Sequence, residues 1–273
     1  MPMSHSRVSP VPAVLRLVQT AVLGRWRATG EDLYREAARL GEAGPGRDVI
    51  VAGCGAGTAT EWLVLRTGAS VTGVDPDPDS IERAEDYARK LAGNLPLHYA
   101  SAPLDDLPYE TGVFDLAIGE PALSAAGDAA VAVAELARVT RPMGTVVLLQ
   151  PTWTSELAAD ARDMLVERLG LRPRLLVEWK QLLREAGVVE LQVQDWTDGA
   201  QPGRPAPPAD AAVPGLSWQD KAQIVGRAWR WSGWRAARGA VAREKKLLEE
   251  LSHERAIGFQ LIRGVKWPHA RTS

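Results

Sequence analysis

Three glycines and one aspartate are the residues of this chain whose types and spacing best suit the binding of a small molecule. The glycines stand at alternate positions, Gly53, Gly55 and Gly57, directly after an apolar run at 49–52. A second apolar run ends at Asp75. A buried strand, a turn tight enough for a ligand to touch the backbone and a carboxylate at the end of the next strand would together bind a ribose-bearing cofactor.

The spacing of the glycines narrows the chemistry. It is Gly-x-Gly-x-Gly and not the Gly-x-Gly-x-x-Gly of nicotinamide-dependent enzymes, because Thr58 stands where a third glycine or alanine would help the helix to pack. Methyl transfer is therefore favoured over hydride transfer. Two structural alternatives stay open: a tight strand–helix turn for the glycines, and a helix N-cap for Asp75. Asp79 and Ser80 are, however, better placed to cap the next helix.

The elements that must position these residues alternate between strand and helix. Apolar patterning predicts strands at 49–52, 70–74, 96–100, 114–118, 145–149, 188–195 and 256–267, and helices at 58–67, 79–92, 129–139 and 179–186. Such alternation implies parallel pairing through right-handed crossovers. We therefore predict an α/β fold, a Rossmann-like doubly wound sheet of seven strands with helices on both faces.

Regions outside this alternation predict helical caps. The predicted division is an N-terminal helical cap (1–45), the core (46–196), a Pro-rich loop with a basic, Trp-rich helical insertion (197–255), and the last core strand with a tail (256–273). In the insertion, tryptophans at three- and four-residue spacing would pack on the core while the arginines face water. Contact with an anionic membrane surface or, less favoured, with a nucleic-acid backbone are the alternatives.

Composition excludes several other classes. The chain has 273 residues, of which 45% are apolar and 24% charged, and its net charge of −2 gives no global field toward nucleic acid or membranes. The single Cys54 excludes an internal disulfide, and the four scattered histidines predict no metal site. The apolar stretch at 8–23 is interrupted by polar residues and prolines. We therefore predict no signal peptide and a cytoplasmic location.

The order of the motifs resembles the class I S-adenosylmethionine-dependent methyltransferases, and within them the small-molecule branch that includes the quinone C-methyltransferases. The resemblance covers roughly 46–196 and the last strand near Phe259. It is carried by five motifs in order: Gly53-x-Gly55-x-Gly57, Asp75, Leu107-Pro108, Phe114-Asp115-Leu116, and the ten residues from Glu135 to Gly144. It implies S-adenosyl-L-methionine as the cofactor, a small-molecule acceptor, and an antiparallel last strand in a mostly parallel sheet.

The resemblance also implies a role for each matched residue. The glycine turn would lie against the methionine part of the cofactor, Asp75 would accept hydrogen bonds from both ribose hydroxyls, and Pro76 would pack on the adenine. Ser101 and Ala102 would sit beside the adenine, and Gly119 beside the sulfonium. The implied cofactor-binding set is Gly53, Cys54, Gly55, Ala56, Gly57, Asp75, Pro76, Ser101, Ala102 and Gly119. Within it, Cys54 is interpreted as a small buried packing residue and not as a nucleophile.

The acceptor side is predicted from fewer signals. Glu120 is the one candidate general base, needed only if the acceptor arrives protonated. Four aromatic residues would line a pocket for a hydrophobic or aromatic acceptor: Trp26, Tyr34, Trp153 and Trp231. The Asn-Pro-Pro-aromatic signature of enzymes that methylate planar amide or base nitrogens is replaced by Gly-Glu-Pro-Ala at 119–122. This replacement argues against DNA or peptide amides as acceptors.

Two departures from the family pattern keep alternatives open. Val51 stands where the family has an acidic residue, and Ser101 stands where it has aspartate. Both changes remove polar partners of the cofactor, as would be expected in a non-catalytic S-adenosylmethionine-binding protein. Methylation of RNA is a third reading. The acceptor, the atom methylated and the oligomeric state stay open.

Overall fold

The structure is a computed structural model, and it describes residues 30–91, 94–154, 162–163, 166, 172–196 and 257–268. The first part of the predicted N-terminal cap and the whole of the predicted Pro-rich and Trp-rich insertion lie outside the described residues. The proposed division into caps and core therefore stays a prediction.

The described residues form one mixed sheet of eight strands in the order β3-β2-β1-β4-β5-β8-β7, with β6 paired to the end of β5. The strands are β1 Asp48–Ala52, β2 Ser70–Asp75, β3 Leu97–Ser101, β4 Phe114–Gly119, β5 Thr140–Trp153, β6 Arg174–Leu175, β7 Val188–Asp195 and β8 Ile257–Lys266. Strand β8 pairs antiparallel with β5 and β7, and the other pairings are parallel. The predicted Rossmann-like sheet with an antiparallel last strand is confirmed. The eighth strand is β6, whose two residues are too few to give a pattern.

In the part of the chain that the structure describes, five α-helices with defined bounds and one short 3₁₀ helix accompany these strands. They are α1 Gly30–Leu40, α2 Thr58–Thr67, α3 Pro78–Ala88, α4 Ala129–Val139 and α5 Leu176–Glu185, with the 3₁₀ helix Pro121–Ala125 after β4. Helix α3 is capped by Asp77, whose carboxylate accepts the N–H of Asp79, so the predicted caps at Asp79 and Ser80 are wrong. Pro78 at the first helical position already has its dihedral angle fixed for a helix. This proline moves the start of α3 one residue earlier than predicted.

The sheet is covered on both faces because successive side chains of a strand point to opposite sides. Val49 and Val51 of β1 lie in the core cluster shared with α1 and α2, whereas Ile50 lies in the cluster shared with α4 and α5. Helix α1 buries Leu33, Ala37 and neighbouring residues against this core. Strands β1 and β4 are central and buried, so their carboxyl ends hold the connecting loops in fixed positions.

The amino edge of the sheet is closed by a cluster of four charged side chains. The Asp115 carboxylate accepts the backbone N–H of Asp48 at 2.9 Å, Arg141 Nη1 at 2.7 Å and Arg47 Nη1 at 3.2 Å. Arg141 Nη2 also donates to Asp48 Oδ2 at 3.0 Å. Burial alone would raise the pKa of Asp115, but the Asp48 N–H and the Arg141 guanidinium outweigh it and hold the pKa below its ordinary value.

Candidate functional site

The glycine turn lies at the carboxyl edge of the sheet, between β1 and α2. The N–H groups of Gly53 and Cys54 donate to the Val74 carbonyl at 2.7 and 3.1 Å, which ties the turn to the end of β2. Gly53, Gly55 and Gly57 have φ angles of 81°, 55° and 85°. Side chains other than glycine seldom adopt this left-handed region, so the alternate spacing follows from the backbone path.

Two of the glycines also leave room for neighbouring groups. A Cβ atom on Gly53 would lie 2.6 Å from the Ala122 Cβ of the 3₁₀ helix, and one on Gly57 would lie 2.4 Å from the Tyr99 hydroxyl. Both distances are shorter than van der Waals contact. The two glycines therefore have packing reasons that hold with or without a cofactor.

Thr60 and Tyr99 form a hydrogen-bonded pair that contacts the glycine turn. Thr60 Oγ1 donates to the Gly57 carbonyl at 2.6 Å and lies 2.7 Å from the Tyr99 hydroxyl. Burial raises the pKa of Tyr99, so its hydroxyl stays protonated over the physiological range. Cys54 is 2% exposed and its Sγ lies close to Gly73 of β2. This enclosure suits the packing role predicted for Cys54.

Asp75 ends β2 and is bound to the turn. Asp75 is 7% exposed; its Oδ2 accepts the Gly55 N–H at 2.8 Å, and its Oδ1 accepts the Asp77 N–H at 3.0 Å. A carboxylate oxygen has two acceptor sites, so each Asp75 oxygen can accept one further hydrogen bond. A vicinal diol such as the two hydroxyls of a ribose provides the two donors. The residues present therefore fit the nucleoside part of the predicted cofactor.

The residues predicted to lie beside the adenine come together next to Asp75. Ser101 of β3 is the register partner of Asp75, and the Ala102 N–H donates to the Asp75 carbonyl at 3.2 Å. Pro76 and Ser101 are exposed and Ala102 is half-buried. An exposed proline and an exposed serine beside a buried carboxylate leave a face on which a flat base could lie.

The loop after Ala102 is fixed by two residues of α4 whose role the sequence analysis missed. Glu135 Oε2 accepts the Leu107 N–H at 2.9 Å, and Arg138 donates to the carbonyls of Leu107 at 2.9 Å and Tyr109 at 2.7 Å. The hydrogen bond from Arg138 holds the pKa of Glu135 below its ordinary value despite partial burial. The Glu-x-x-Arg spacing, one turn apart on a helix, was the available signal.

Glu120 follows β4 and lies over the end of β1. Its N–H donates to the Ala52 carbonyl at 2.9 Å, and the residue is 2% exposed. A Cβ atom on Gly53 would lie 3.4 Å from the Glu120 Cβ, so Glu120 adjoins the glycine turn. Gly119 has no room for a side chain, because a Cβ atom there would lie 2.8 Å from Leu148 Cδ2 in the core.

Gln150 is a buried polar residue at this edge that the sequence analysis did not single out. It lies near the carboxyl end of β5 and is fully buried. Its Nε2 donates to the carbonyls of Gly119 at 2.9 Å and Glu120 at 2.7 Å, and its Oε1 accepts the Ser124 hydroxyl at 2.8 Å. A lone glutamine after four buried apolar residues was the signal that could have drawn attention to it.

The four predicted pocket aromatics are only partly described. Trp26 and Trp231 lie outside the described residues. Tyr34 lies on α1 and is buried, with its ring centroid 6.4 Å from that of Trp62 on α2. Trp153 lies in a separate cluster with Leu175 and Ile257 at the end of β5. Tyr34 and Trp153 thus belong to different clusters. That they share a pocket stays a prediction.

A surface groove lies away from this edge. Its volume is about 480 Å³, and it runs between α1 and α2, lined by Arg35, Ala38, Arg39, Glu42, Ala43, Trp62, Arg66 and Thr67. None of these residues belongs to the predicted cofactor set.

In the described part of the chain, no three His, Cys, Asp or Glu side chains are grouped so as to hold a metal ion. Among the helices described, none has both the length and the apolar character to cross a membrane.

Comparisons with known proteins agree with this geometry. Residues 50–148 match the family described as "Methyltransferase domain". Methyltransferase GfsG of Streptomyces halstedii is 26% identical over 205 residues, which cover 73% of this chain and 72% of that protein. The chloroplastic tocopherol O-methyltransferase of Arabidopsis thaliana is 26% identical over 209 residues, covering 71% of this chain and 56% of that protein.

A solved structure gives the same fold. The phosphoethanolamine N-methyltransferase 2 of Haemonchus contortus, in complex with S-adenosyl-L-methionine, superposes with a TM-score of 0.68 at 14% identity. The match covers 95% of this chain and 61% of that chain. The chain spans between 36% and 72% of the length of the first curated relatives that it matches. By its matched domain over residues 50–148, its relatives and its fold, the chain is similar to the S-adenosylmethionine-dependent methyltransferases.

Proposed function

We propose that this protein transfers a methyl group from S-adenosylmethionine, bound between the glycine turn and Asp75, to a small hydrophobic or aromatic acceptor beside Glu120. The observation that carries the proposal is the 2.8 Å hydrogen bond from the Gly55 N–H to Asp75 Oδ2. This bond joins the turn that would face the methionine part to the carboxylate that would bind the ribose. Pro76 and Ser101, exposed next to Asp75, would flank the adenine.

The contribution of the protein would be mainly positional. S-adenosylmethionine supplies an electrophilic methyl group on a sulfonium. The chain has to orient the acceptor atom toward that group and exclude water, and such positioning can supply roughly 7–11 kcal/mol of the barrier. Glu120, buried and adjoining Gly53, would accept a proton from an acceptor that arrives protonated.

A small acceptor is supported by the site and by the relatives. The Glu120 carboxyl is enclosed, which suits a small group more than a nucleic-acid backbone. Trp153 ends β5 at the same edge of the sheet, where it packs with Leu175 and Ile257. One matched relative is named for tocopherol, which is a small lipophilic phenol. The quinone C-methyltransferase branch is a narrower form of this proposal.

A non-catalytic cofactor-binding protein is the second candidate, and one observation favours it. Val51, at the position of the family's acidic residue, is fully buried in the apolar core. One polar contact expected for the cofactor is therefore missing. RNA methylation and contact with a membrane both rest on the basic, Trp-rich insertion outside the described residues. RNA methylation, membrane contact and the cytoplasmic location therefore remain predictions from the sequence. The oligomeric state remains open.

Two measurements in succession test the proposal. Calorimetric titration with S-adenosylmethionine should show one-to-one binding, and its absence would contradict both candidates. Incubation with methyl-labelled cofactor and a panel of lipophilic phenols and quinols should then label at least one compound in proportion to time and protein. Binding without any labelled product, from this panel or from a metabolite extract, would favour the non-catalytic candidate.

Glu120 is tested by the isosteric change Glu120→Gln. The amide keeps the shape of the side chain but cannot accept the proton, so turnover of a phenolic acceptor should fall by about 100-fold or more. Affinity for S-adenosylmethionine should stay within about threefold of wild type, because the ribose contact is made by Asp75. Unchanged turnover would remove Glu120 from the chemistry.

A further inference from the structure

We propose that Gln150 is a positioning residue that holds the Glu120 segment, residues 119–124, against the cofactor turn and so fixes the acceptor side of the site. The proposal rests on the proposed function for its chemical consequence, and on the hydrogen bonds of Gln150 for its physical basis. Gln150 contacts neither the predicted ribose site nor the glycine turn in any recorded hydrogen bond among the described residues.

The topology explains why a side chain is needed there. Strand β4 pairs with β5 up to Gly119 and Leu148, and β5 then runs on to Trp153 while the neighbouring chain turns away into the 3₁₀ helix. Residue 151 is proline, which has no N–H to donate. The side-chain amide of Gln150 supplies two N–H donors to this segment, one for each of the carbonyls of Gly119 and Glu120.

The geometry makes the Gln150 amide a three-point clamp. Both of its N–H donors and its carbonyl oxygen are used, and all three partners lie within the Glu120 segment. Gln150 is 0% exposed and Ser124 is 3% exposed, so water does not compete for these bonds. The Ser124 carbonyl accepts the Arg172 N–H at 2.9 Å, which extends the connection to the residues before β6.

The clamp acts on the position of Glu120 and not on the cofactor contacts. Glu120 is held from one side by its own N–H, which donates to Ala52 of β1, and from the other side by Gln150. The Asp75 contacts, by contrast, are made through the N–H groups of Gly55 and Asp77. Loss of Gln150 should therefore affect the placement of the acceptor much more than binding of the cofactor.

The chain offers a matched control. Gln260 of β8 is the register partner of Gln150 and is 6% exposed, but β5 lies between it and the Glu120 segment. Gln150→Leu and Gln260→Leu therefore make the same chemical change at neighbouring buried positions of one sheet. Ser124→Ala removes one bond of the three and should give an intermediate effect.

The first part of the experiment measures binding and turnover. For Gln150→Leu, the Kd for S-adenosylmethionine should stay within about threefold of wild type, while kcat for the panel acceptor methylated by wild type should fall at least about tenfold. Gln260→Leu should keep both values near those of wild type. Equal losses of kcat in both variants, or unchanged kcat in Gln150→Leu, would overturn the proposal.

The second part needs no acceptor, so it separates this inference from the proposed function. Amide hydrogen exchange in peptides covering 119–126 should quicken by about tenfold in Gln150→Leu, with little change in peptides covering 53–57. Gln260→Leu should exchange as wild type does in both regions. If wild type methylates no acceptor but this difference appears, the clamp stands and the proposed function fails. If the exchange of 119–126 is unaltered, the clamp is refuted whatever the activity.

Discussion

The two edges of the sheet treat their charged groups in opposite ways. At the amino edge, Asp115 accepts two arginines and a backbone N–H, so its charge is balanced by other side chains. At the carboxyl edge, Asp75 accepts two backbone N–H groups and is not paired with a recorded cation in the described part of the chain. Both carboxylates stand at or near the ends of buried parallel strands.

This difference indicates which edge is built for a ligand. A carboxylate already paired with two guanidinium groups has few acceptor sites left for a ligand. The role of Asp115 is to hold strands β1, β4 and β5 together. A carboxylate fixed only by N–H groups keeps acceptor sites for two more donors. The same strands thus carry a structural edge and the edge that we propose binds the cofactor. Changes at the first should alter stability, and changes at the second should alter binding.

The largest effect is expected at the glycine turn. Gly55→Val should lower affinity for S-adenosylmethionine by at least about 100-fold, because a β-branched side chain does not fit a φ of 55° and would displace the N–H that binds Asp75. Calorimetric titration measures the loss. Gly46→Val is the matched control, since Gly46 also has a left-handed φ but an added Cβ meets no atom of the described residues within 4 Å. Equal binding by wild type and Gly55→Val would refute the placement of the turn.

The next largest effect is expected at Asp75, whose carboxylate is predicted to bind the ribose. Asp75→Ala should lower affinity for S-adenosylmethionine at least about tenfold, or about 1.4 kcal/mol, because both acceptors for the ribose hydroxyls are removed. Asp77→Ala is the control: it removes the N-cap of α3, at a cost of about 0.5–2 kcal/mol in stability, and leaves Asp75 in place. Unchanged affinity in Asp75→Ala would mean that the ribose is held elsewhere.

A change at the amino edge should show the reverse pattern. Asp115→Ala leaves the Arg47 and Arg141 guanidinium groups without their shared acceptor, and should lower the free energy of unfolding by about 1–3 kcal/mol. Urea denaturation measures this loss. Affinity for S-adenosylmethionine of the folded variant should match that of wild type. A tenfold weaker affinity would show that the two edges are coupled and would break the comparison.

The smallest effect is the pH dependence of the same contact. The pKa of Asp115 lies below its ordinary value of 3.8 in the folded protein, so its ion pairs contribute full stability above that value. The contribution is lost as pH falls through the lowered pKa. The difference in unfolding free energy between wild type and Asp115→Ala should therefore be constant from pH 7 to about 5 and shrink below about 4. A difference that grows on acidification would contradict the assigned direction.

The glycine turn and the carboxylate beside it were largely predictable from the sequence, because their determinants are local. A left-handed backbone favours glycine, and a strand that leads into a helix needs only a short loop. The fixed spacing of Gly53, Gly57 and Asp75 therefore predicts the turn and the end of β2. The antiparallel β8 followed from the resemblance. The cap of α3 was missed because Asp77 and Asp79 are equivalent in type, and the position of Pro78 decides between them.

The contacts of the Glu120 segment were less predictable because they are distant in sequence. Gln150 bonds to residues 26 to 31 positions away, and nothing in the local pattern of β5 indicates which carbonyls it will meet. Glu135 and Arg138 likewise act on a loop almost thirty residues earlier. Of the four predicted aromatics, Tyr34 lies in the general core, since helix α1 presents it to α2. Such assignments depend on tertiary packing.

The most direct test is a crystal structure of the protein with S-adenosylhomocysteine, the product left after methyl transfer. We expect both ribose hydroxyls within about 3.2 Å of the Asp75 carboxylate oxygens, with the sulfur facing the Glu120 segment. A nucleoside bound elsewhere, such as in the groove between α1 and α2, or an Asp75 carboxylate without ribose contact, would contradict the assignment of the carboxyl edge as the binding edge.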